Sequence, residues 1–161
     1  MFISIDHTQF NKHNIILSDK LNNNIMENGF FYRIFYSDTF YSSNGIIINF
    51  NLKNVTLENY FNKIKCYHNK SNNQEIINNI IAIEKNLIEL LFKNKILNKK
   101  ITPIYKIKEQ LNNNFIKIYY DIYHDIIHKK NINLVLKISG LWNTDYECGI
   151  TFRFYLTKEQ L

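Results

Sequence analysis

Two arginines stand among aromatic residues in segments that have the composition of β-strands. Side chains alternate between the two faces of a strand, so Phe31, Arg33 and Phe35 share one face of their segment, and Arg153 and Tyr155 share one face of another. Aromatic rings stack on nucleobases and cations contact phosphates, which are the two requirements of a groove for single-stranded nucleic acid. We therefore predict a nucleic-acid-binding surface on these two segments.

The scarcity of arginine in this chain strengthens that interpretation. Residues with AT-rich codons (Asn, Ile, Lys, Tyr and Phe) dominate the composition, while Gly (4), Pro (1) and Trp (1) are rare. A position that needs only positive charge drifts to lysine under such codon pressure, so Arg33 and Arg153 indicate a demand for the planar guanidinium, which stacks on rings and forms paired hydrogen bonds. The net charge of +6 partly reflects the same bias, so the placement of the cations is more informative than their total.

Further cations and rings extend the predicted surface. Residues 55–67 are read as one strand, although the alternation is imperfect; one face carries Val55, Leu57, Phe61, Lys63, Lys65 and Tyr67, and the other carries Ile64 and Cys66. Such a strand would add lysines for phosphate contacts and a ring for stacking. The predicted nucleic-acid-binding residues are Phe31, Arg33, Phe35, Lys63, Lys65, Tyr67, Trp142, Arg153 and Tyr155.

No pattern in the sequence indicates a catalytic or metal site. Residues 124–128 read HDIIH, which has the histidine spacing of the HExxH metalloprotease helix, but Asp125 is one methylene shorter than the glutamate of that motif and no third ligand is evident. Asp145 and Glu147 suit a polar turn better than acid/base catalysis. Phosphate-cradling glycine loops, nucleophile elbows and Cys/His clusters do not occur in the sequence. We predict no enzymatic activity, no cofactor, no metal and no small-molecule substrate.

One long helix and a C-terminal pair of strands are the clearest predicted elements. Apolar residues recur at helical spacing over residues 74–95, and Ser71 is the predicted N-cap. Residues 134–139 and 150–156 alternate in hydrophobicity and predict two antiparallel strands joined by a turn over residues 140–149. The helical stripe consists of Ile76, Ile80, Ile83, Leu87, Leu90 and Leu91.

The remaining segments predict further β-structure. Residues 30–36 and 46–50 are read as a β-hairpin closed by a loop at residues 42–45, and residues 115–123 fit either a strand or a helix. The predicted fold class is α+β and mainly β. We expect an antiparallel sheet or a partly open small barrel of the oligonucleotide-binding type, with one long amphipathic helix packed on it.

Length and composition restrict the class of protein. The 161 residues fit a single domain, 1–161, and a hydrophobic content of 45% excludes a disordered chain. No apolar run is long enough to cross a bilayer, and the N-terminal segment lacks the pattern of a signal peptide. The two cysteines, Cys66 and Cys148, have no disulfide or zinc spacing and are expected to be buried thiols. We expect an intracellular protein that is neither secreted nor bound to a membrane.

Four short motifs together resemble a poorly characterised family of small proteins encoded by large nucleocytoplasmic DNA viruses. They are FYRIFYSD at residues 31–38, NGII at 44–47, LKISGLW at 136–142 and YECGITFRF at 146–154. The resemblance implies a virus-encoded protein of the replication or genome-handling machinery, located in the host cytoplasm, the viral factory or the virion. It implies no catalytic residues.

Two hypotheses of different classes follow. The first is a single-stranded nucleic-acid-binding protein, for DNA in particular, that uses aromatic stacking and Lys/Arg contacts to phosphate. The second is a structural or self-assembling protein of the virion, a homo-oligomer whose aromatic strands contact neighbouring copies. A further alternative holds for each aromatic residue individually, namely that it lies in the core, with Arg33 paired to an acid such as Asp38.

Overall fold

The computed structural model describes residues 3–97, 100–119 and 128–157. Within these ranges lie twelve strands and two helices, α1 (Gln74–Lys93) and α2 (Lys106–Asn112). Short 3-10 turns at Lys12–Asn14 and Ser71–Asn73 precede β2 and α1. The strands are β1 (Ile5–Asp6), β2 (Ile15–Leu17), β3 (Leu21–Asn23), β4 (Gly29–Ser37), β5 (Ser42–Asn44), β6 (Ile46–Lys53), β7 (Val55–Tyr60), β8 (Lys63–His68), β9 (Thr102–Pro103), β10 (Phe115–Tyr119), β11 (Asn131–Asn143) and β12 (Glu147–Leu156).

The strands form one open, mixed sheet. Its main path runs β1-β6-β11-β12-β10-β8-β7, and β4 joins it beside β11, with β5 on the same edge of β4 as β11 and with β2 and β3 on the opposite edge. The prediction of a mainly β protein with one long helix is confirmed, but the sheet is not wholly antiparallel, since β1–β6, β10–β12 and β9–β12 are parallel pairs. Alternation along a strand shows which residues share a face, whereas the direction of a strand relative to a distant neighbour is a property of the whole chain.

Strand β11 pairs with both β6 and β4 along one edge, and its register shifts between the two pairings. Its first part pairs with β6 up to Ile138, and its last part pairs with β4 from Gly140 onwards. A shift of register between Ile138 and Gly140 also separates the two parts in the β11–β12 ladder. Such an irregularity bends a strand and increases its twist, so the part of the sheet at β4 has a different orientation from the part at β6.

The inner face of the sheet packs against the helices. The predicted helix is confirmed over Gln74–Lys93, and its apolar stripe is centred on Ile77, Ile80, Leu87 and Leu91. These residues belong to one hydrophobic cluster with the inward side chains of the sheet, Phe154 among them. Ser71 is not the N-cap: the helix begins after Asn73, whose side chain instead bonds the backbone of Lys53.

Three turn predictions are wrong in detail. Residues 55–67 form a hairpin rather than one strand, because the chain reverses between Tyr60 and Lys63 and β7 pairs with β8. Val55 and Leu57 therefore lie in the core and do not share a face with Lys63. The predicted pairing of residues 30–36 with 46–50 does not form: β4 pairs with residues 42–44, and Gly45, with φ of +89°, redirects the chain into β6. The C-terminal turn is confined to residues 144–146, since Gly140 lies in β11 and Gly149 in β12.

Both cysteines are buried thiols, as predicted. Burial raises the pKa of Cys66 to about 12 and that of Cys148 to about 11. Thiols with such pKa values form little thiolate at neutral pH and are poor nucleophiles and metal ligands. Neither helix in the described ranges has the length and apolarity needed to cross a membrane.

Candidate nucleic-acid interface

The outer face is the side of the sheet that points away from α1 and α2. On β8, Ile64 and Cys66 are buried in the core, so Lys63, Lys65 and Tyr67 alternate onto the outer face. The cross-strand registers carry this face through β10, β12, β11 and β4. All nine predicted nucleic-acid-binding residues lie on it. The alternative that they are core residues is wrong for these positions, since each is exposed or half-buried.

Four cations of the outer face lie over aromatic rings. The Lys63 ammonium is 4.5 Å from the centroid of Tyr119, and the Arg153 guanidinium carbon is 4.9 Å from the same centroid. The Lys65 ammonium is 4.8 Å from the centroid of Tyr67. Tyr155 packs beside Tyr119 with ring centroids 6.3 Å apart. We call this group the basic-aromatic cluster; it consists of Tyr60, Lys63, Lys65, Tyr67, Phe115, Lys117, Tyr119, Arg153 and Tyr155.

The remaining members of the cluster lie on β10 and β7. Lys65 also approaches Phe115, with 4.3 Å between the ammonium and the ring centroid, and Lys117 lies 5.3 Å from the centroid of Tyr60. Sequence reasoning missed Phe115, Lys117, Tyr119 and Tyr60. The first three follow from the alternation of residues 115–119, FIKIY, in which both isoleucines are buried. Had residues 115–119 been assigned to a strand rather than left open between strand and helix, these three residues would have been placed on the outer face.

In the part of the chain that the structure describes, the cations of the cluster form no salt bridge with a carboxylate. Within the described residues, salt bridges join Lys85 and Lys93 to Glu89 and Lys106 to Glu109, and none involves a cation of the cluster. Glu58 is the cross-strand partner of Lys65. The side chain of Tyr67 raises the pKa of Lys65, with a smaller contribution from Glu58. Lys65 is therefore fully protonated at neutral pH.

No protein-family model, curated protein or solved structure matches this chain. The resemblance to proteins of large DNA viruses stays a prediction. The chemistry of the outer face is the basis on which a function can be assigned to this chain.

Arg33 lies apart from the cluster, at the β4 end of the outer face. It is exposed and, within the described residues, forms no salt bridge with Asp38, whose carboxylate instead accepts the backbone N–H groups of Phe40 and Tyr41. Arg33 is opposite Gly140, two strands away from β12, so its Cα is about 12 Å from that of Arg153 for strands spaced about 4.8 Å apart. The two arginines therefore share a face without being in contact.

The neighbours of Arg33 are mostly apolar. Ile16 and Phe35 are cross-strand partners, and their side chains are 55% and 37% exposed. Leu21, the partner of Phe31, is 39% exposed. We call Ile16, Leu21, Phe31 and Phe35 the apolar patch. Five of the nine predicted residues therefore lie in the basic-aromatic cluster. Arg33 lies with Phe31 and Phe35 at the apolar patch, and Trp142 belongs to neither group.

Phe31 and Trp142 cover glycines of neighbouring strands. A Cβ atom on Gly140 would overlap the Phe31 ring, and one on Gly149 would lie 2.8 Å from Cζ2 of Trp142. The Trp142 indole N–H donates to the carbonyl of Ile150 at 3.2 Å. Aromatic rings that cover glycines in this way stabilise sheet pairing. Packing on the sheet accounts for the placement of Phe31 and Trp142 without a ligand.

The other residues considered for chemistry form no site. No group of three His, Cys, Asp or Glu side chains within residues 3–97, 100–119 and 128–157 could hold a metal ion. His124 and Asp125 of the HDIIH segment lie outside these ranges. Asp145 and Glu147 are exposed at the β11–β12 turn, where the backbone N–H of Glu147 donates to the Thr144 hydroxyl.

A shallow depression of about 490 Å³ lies at the far end of the β7–β8 hairpin. His68 is among its lining residues, is 5% exposed and, in the described part of the chain, has no hydrogen-bond partner at either ring nitrogen. Burial, and to a smaller extent Lys70, lowers the pKa of His68. An unpaired polar ring in the core is a cost to folding, and it increases when the ring is protonated.

Replacing His68 with leucine is expected to raise the free energy of unfolding by about 1 to 2 kcal/mol near pH 7.5, because leucine buries no unpaired nitrogen. The lowered pKa of His68 also predicts a pH dependence. Above pH ~6.5 histidine is neutral in the unfolded chain too, so His68 does not reduce the free energy of unfolding. As the pH falls below that value, the unfolded chain takes up a proton that folded His68 does not, and the free energy of unfolding decreases. Urea unfolding at about pH 7.5 and 5.5 measures both effects. His13→Gln, at an exposed histidine, is the control. If His68→Leu lost as much stability as wild type between about pH 7.5 and 5.5, His68 would not be the source of the pH dependence.

Proposed function

We propose that this protein binds single-stranded nucleic acid, DNA in particular, on the outer face of its sheet. The observation that carries the proposal is the basic-aromatic cluster, in which Lys63, Lys65, Lys117 and Arg153 lie over rings and form no salt bridge with a carboxylate of the described residues. Such a surface offers cations to phosphates and ring faces to bases. Each base that stacks on an aromatic ring contributes roughly 1–3 kcal/mol.

The arrangement of the cluster supports a path for the strand across the sheet. Five inter-strand steps separate β7 from β4 by way of β8, β10, β12 and β11, or about 24 Å. A stacked strand that advances about 3.4 Å per nucleotide covers this distance with about seven nucleotides, and an extended strand with fewer. Bases within a duplex have no free faces, so ring stacking favours single strands. Part of the proposal is that the open sheet acts as a partly open barrel of the oligonucleotide-binding type.

The site of action is part of the same proposal. A virus-encoded protein of the replication or genome-handling machinery would meet single-stranded DNA in the host cytoplasm or the viral factory. The preference for DNA is proposed on the basis of that role, because the rings of the cluster would accept bases of either nucleic acid.

Fluorescence anisotropy tests the proposal directly. A labelled oligothymidylate of about 15 nucleotides should bind at low salt, and the logarithm of its association constant should fall linearly with the logarithm of salt concentration. A duplex of the same length should bind more weakly. Absence of binding to the single strand at low salt would eliminate the proposed function.

The two arginines provide a test of stacking that preserves charge. Arg153→Lys is expected to weaken single-strand binding by about 5-fold, because lysine keeps the charge but loses the planar contact with the Tyr119 ring. Arg33→Lys is expected to weaken binding in the same direction. The measurement is the same anisotropy titration at fixed low salt. Unchanged affinity in both variants would show that the guanidinium groups are not needed for binding.

The apolar patch favours a second candidate function, self-assembly or incorporation into a virion. Exposed apolar side chains around one arginine are typical of protein interfaces, in which aromatic residues and arginine are enriched. We propose that Ile16, Leu21 and Phe35 would form such a contact between copies of the chain. Light scattering at increasing protein concentration tests it, and a strictly monomeric protein would argue against this candidate.

A further inference from the structure

Phe61 has a backbone conformation that a phenylalanine side chain disfavours. The β7–β8 hairpin turns through two residues, because Tyr60 and Lys63 are cross-strand partners, and Phe61 is the first of the two. Its φ of +52° lies in the left-handed region, where Gly, Asn and Asp are favoured because a larger side chain crowds the backbone. Asn62 follows directly, so a residue type that suits the strained position is only one place away.

Burial does not explain the phenylalanine. The Phe61 side chain is 92% exposed, so its apolar surface gains nothing from folding. Its ring packs only edge-on against Tyr60, with centroids 5.1 Å apart and planes at 84°. Strained residues that make no core contact are typical of sites that contact another molecule.

The position of Phe61 indicates what that molecule is. Tyr60 lies on the outer face with the Lys117 ammonium over its ring, so Phe61 extends the basic-aromatic cluster past the edge of the sheet. On that face Lys63 is the cross-strand partner of Tyr60 and Lys117 lies over its ring, while the carboxylate Glu58 lies two residues earlier on β7. An exposed ring next to cations suits the planar base of a polyanion better than an apolar protein surface.

We propose that Phe61 stacks on one unpaired nucleobase at the end of the bound strand. This inference rests on the proposed function and adds to it the residue that marks the β7 end of the path. The two-residue turn holds the Cα of Phe61 in place, so the ring loses little freedom when a base stacks on it. The free face of a base in a single strand is available to the ring, whereas a base inside a duplex is stacked on both sides.

Phe61→Asn separates the contact from the fold. Asparagine tolerates the positive φ, so the variant should melt at a temperature no lower than wild type. Its affinity for a labelled oligothymidylate should fall by roughly 5- to 150-fold, the equivalent of losing one stacked base. Phe40→Asn is the matched control, because Phe40 is 93% exposed in the β4–β5 loop, outside the cluster, and its loss should leave affinity unchanged. Phe61→Trp should retain binding.

Abasic oligonucleotides identify the contact itself. In wild type, removal of the base at one terminal position should weaken binding. In Phe61→Asn the same removal should have no further effect, because the contact between the Phe61 ring and that base is already absent. Wild-type affinity in Phe61→Asn would overturn this inference and leave the proposed function in place, provided that Lys63→Gln still weakens binding. Failure of wild type to bind any single strand at low salt would overturn both.

Discussion

Replacing Lys63, Lys65 and Lys117 together with glutamine is expected to weaken single-stranded DNA binding about 100-fold at low salt and to flatten its salt dependence. Each lysine that contacts a phosphate displaces a counterion, and on single strands each such contact contributes about −0.7 to the slope of log K against log salt. Loss of three contacts should therefore reduce the slope by about 2. Anisotropy titrations at four or more salt concentrations measure both quantities.

A matched triple variant distinguishes placement from total charge. Lys85, Lys93 and Lys106 lie on the helices and are paired with Glu89 or Glu109, so their replacement by glutamine removes the same number of charges away from the outer face. This control should bind nearly as tightly as wild type. Equal weakening by the two triple variants would mean that only the net charge of +6 attracts the DNA and that the cluster is not the binding surface.

Glu84→Ala is expected to lower the free energy of unfolding by about 3 kcal/mol. Glu84 is a fully buried residue of α1, and its carboxylate accepts the backbone N–H groups of Ile107 at 2.9 Å and Lys108 at 2.8 Å at the start of α2. Alanine would leave both donors without a partner, at about 1–3 kcal/mol for each buried group. Burial raises the pKa of Glu84, and the backbone hydrogen bonds partly oppose that effect. Urea denaturation at neutral pH measures the loss.

Glu89→Ala is the control for this prediction, because Glu89 lies on the same helix but makes exposed pairs with Lys85 and Lys93. Exposed pairs at this spacing contribute about 0.5 kcal/mol or less. If Glu84→Ala were no more destabilising than Glu89→Ala, the carboxylate would not hold α2 against α1. Sequence reasoning did not find Glu84, because a glutamate within an amphipathic helix gives no signal of the two backbone donors that it meets.

Local pattern was enough for the elements with strong periodicity. The spacing of isoleucine and leucine predicted α1 to within two residues of its observed end, Lys93, and the alternation of residues 134–139 and 150–156 predicted the β11–β12 pair. Turns were less predictable. The imperfect alternation of residues 55–67 predicts that Phe61 lies within a strand, whereas the chain turns there at a positive φ.

The candidate site was predicted in part, and the missing part has a physical explanation. Alternation correctly placed Lys63, Lys65, Arg153 and Tyr155 on an outward face, since the side-chain period of a strand is a local property. It did not show that Arg33 lies in a different environment, because that depends on the register shift in β11 and on the contacts of β2 and β3 with β4.

The sequence by itself therefore determined the mainly β class, the long helix and the face on which most of the predicted residues lie, because these depend on periods of two and 3.6 residues within single segments. The tertiary structure alone decided which rings meet which cations. Tyr119 receives both Lys63 and Arg153 because β10 lies between β8 and β12, antiparallel to one and parallel to the other. Strand order of this kind is set by packing across the whole chain, and no local pattern of residues encodes it.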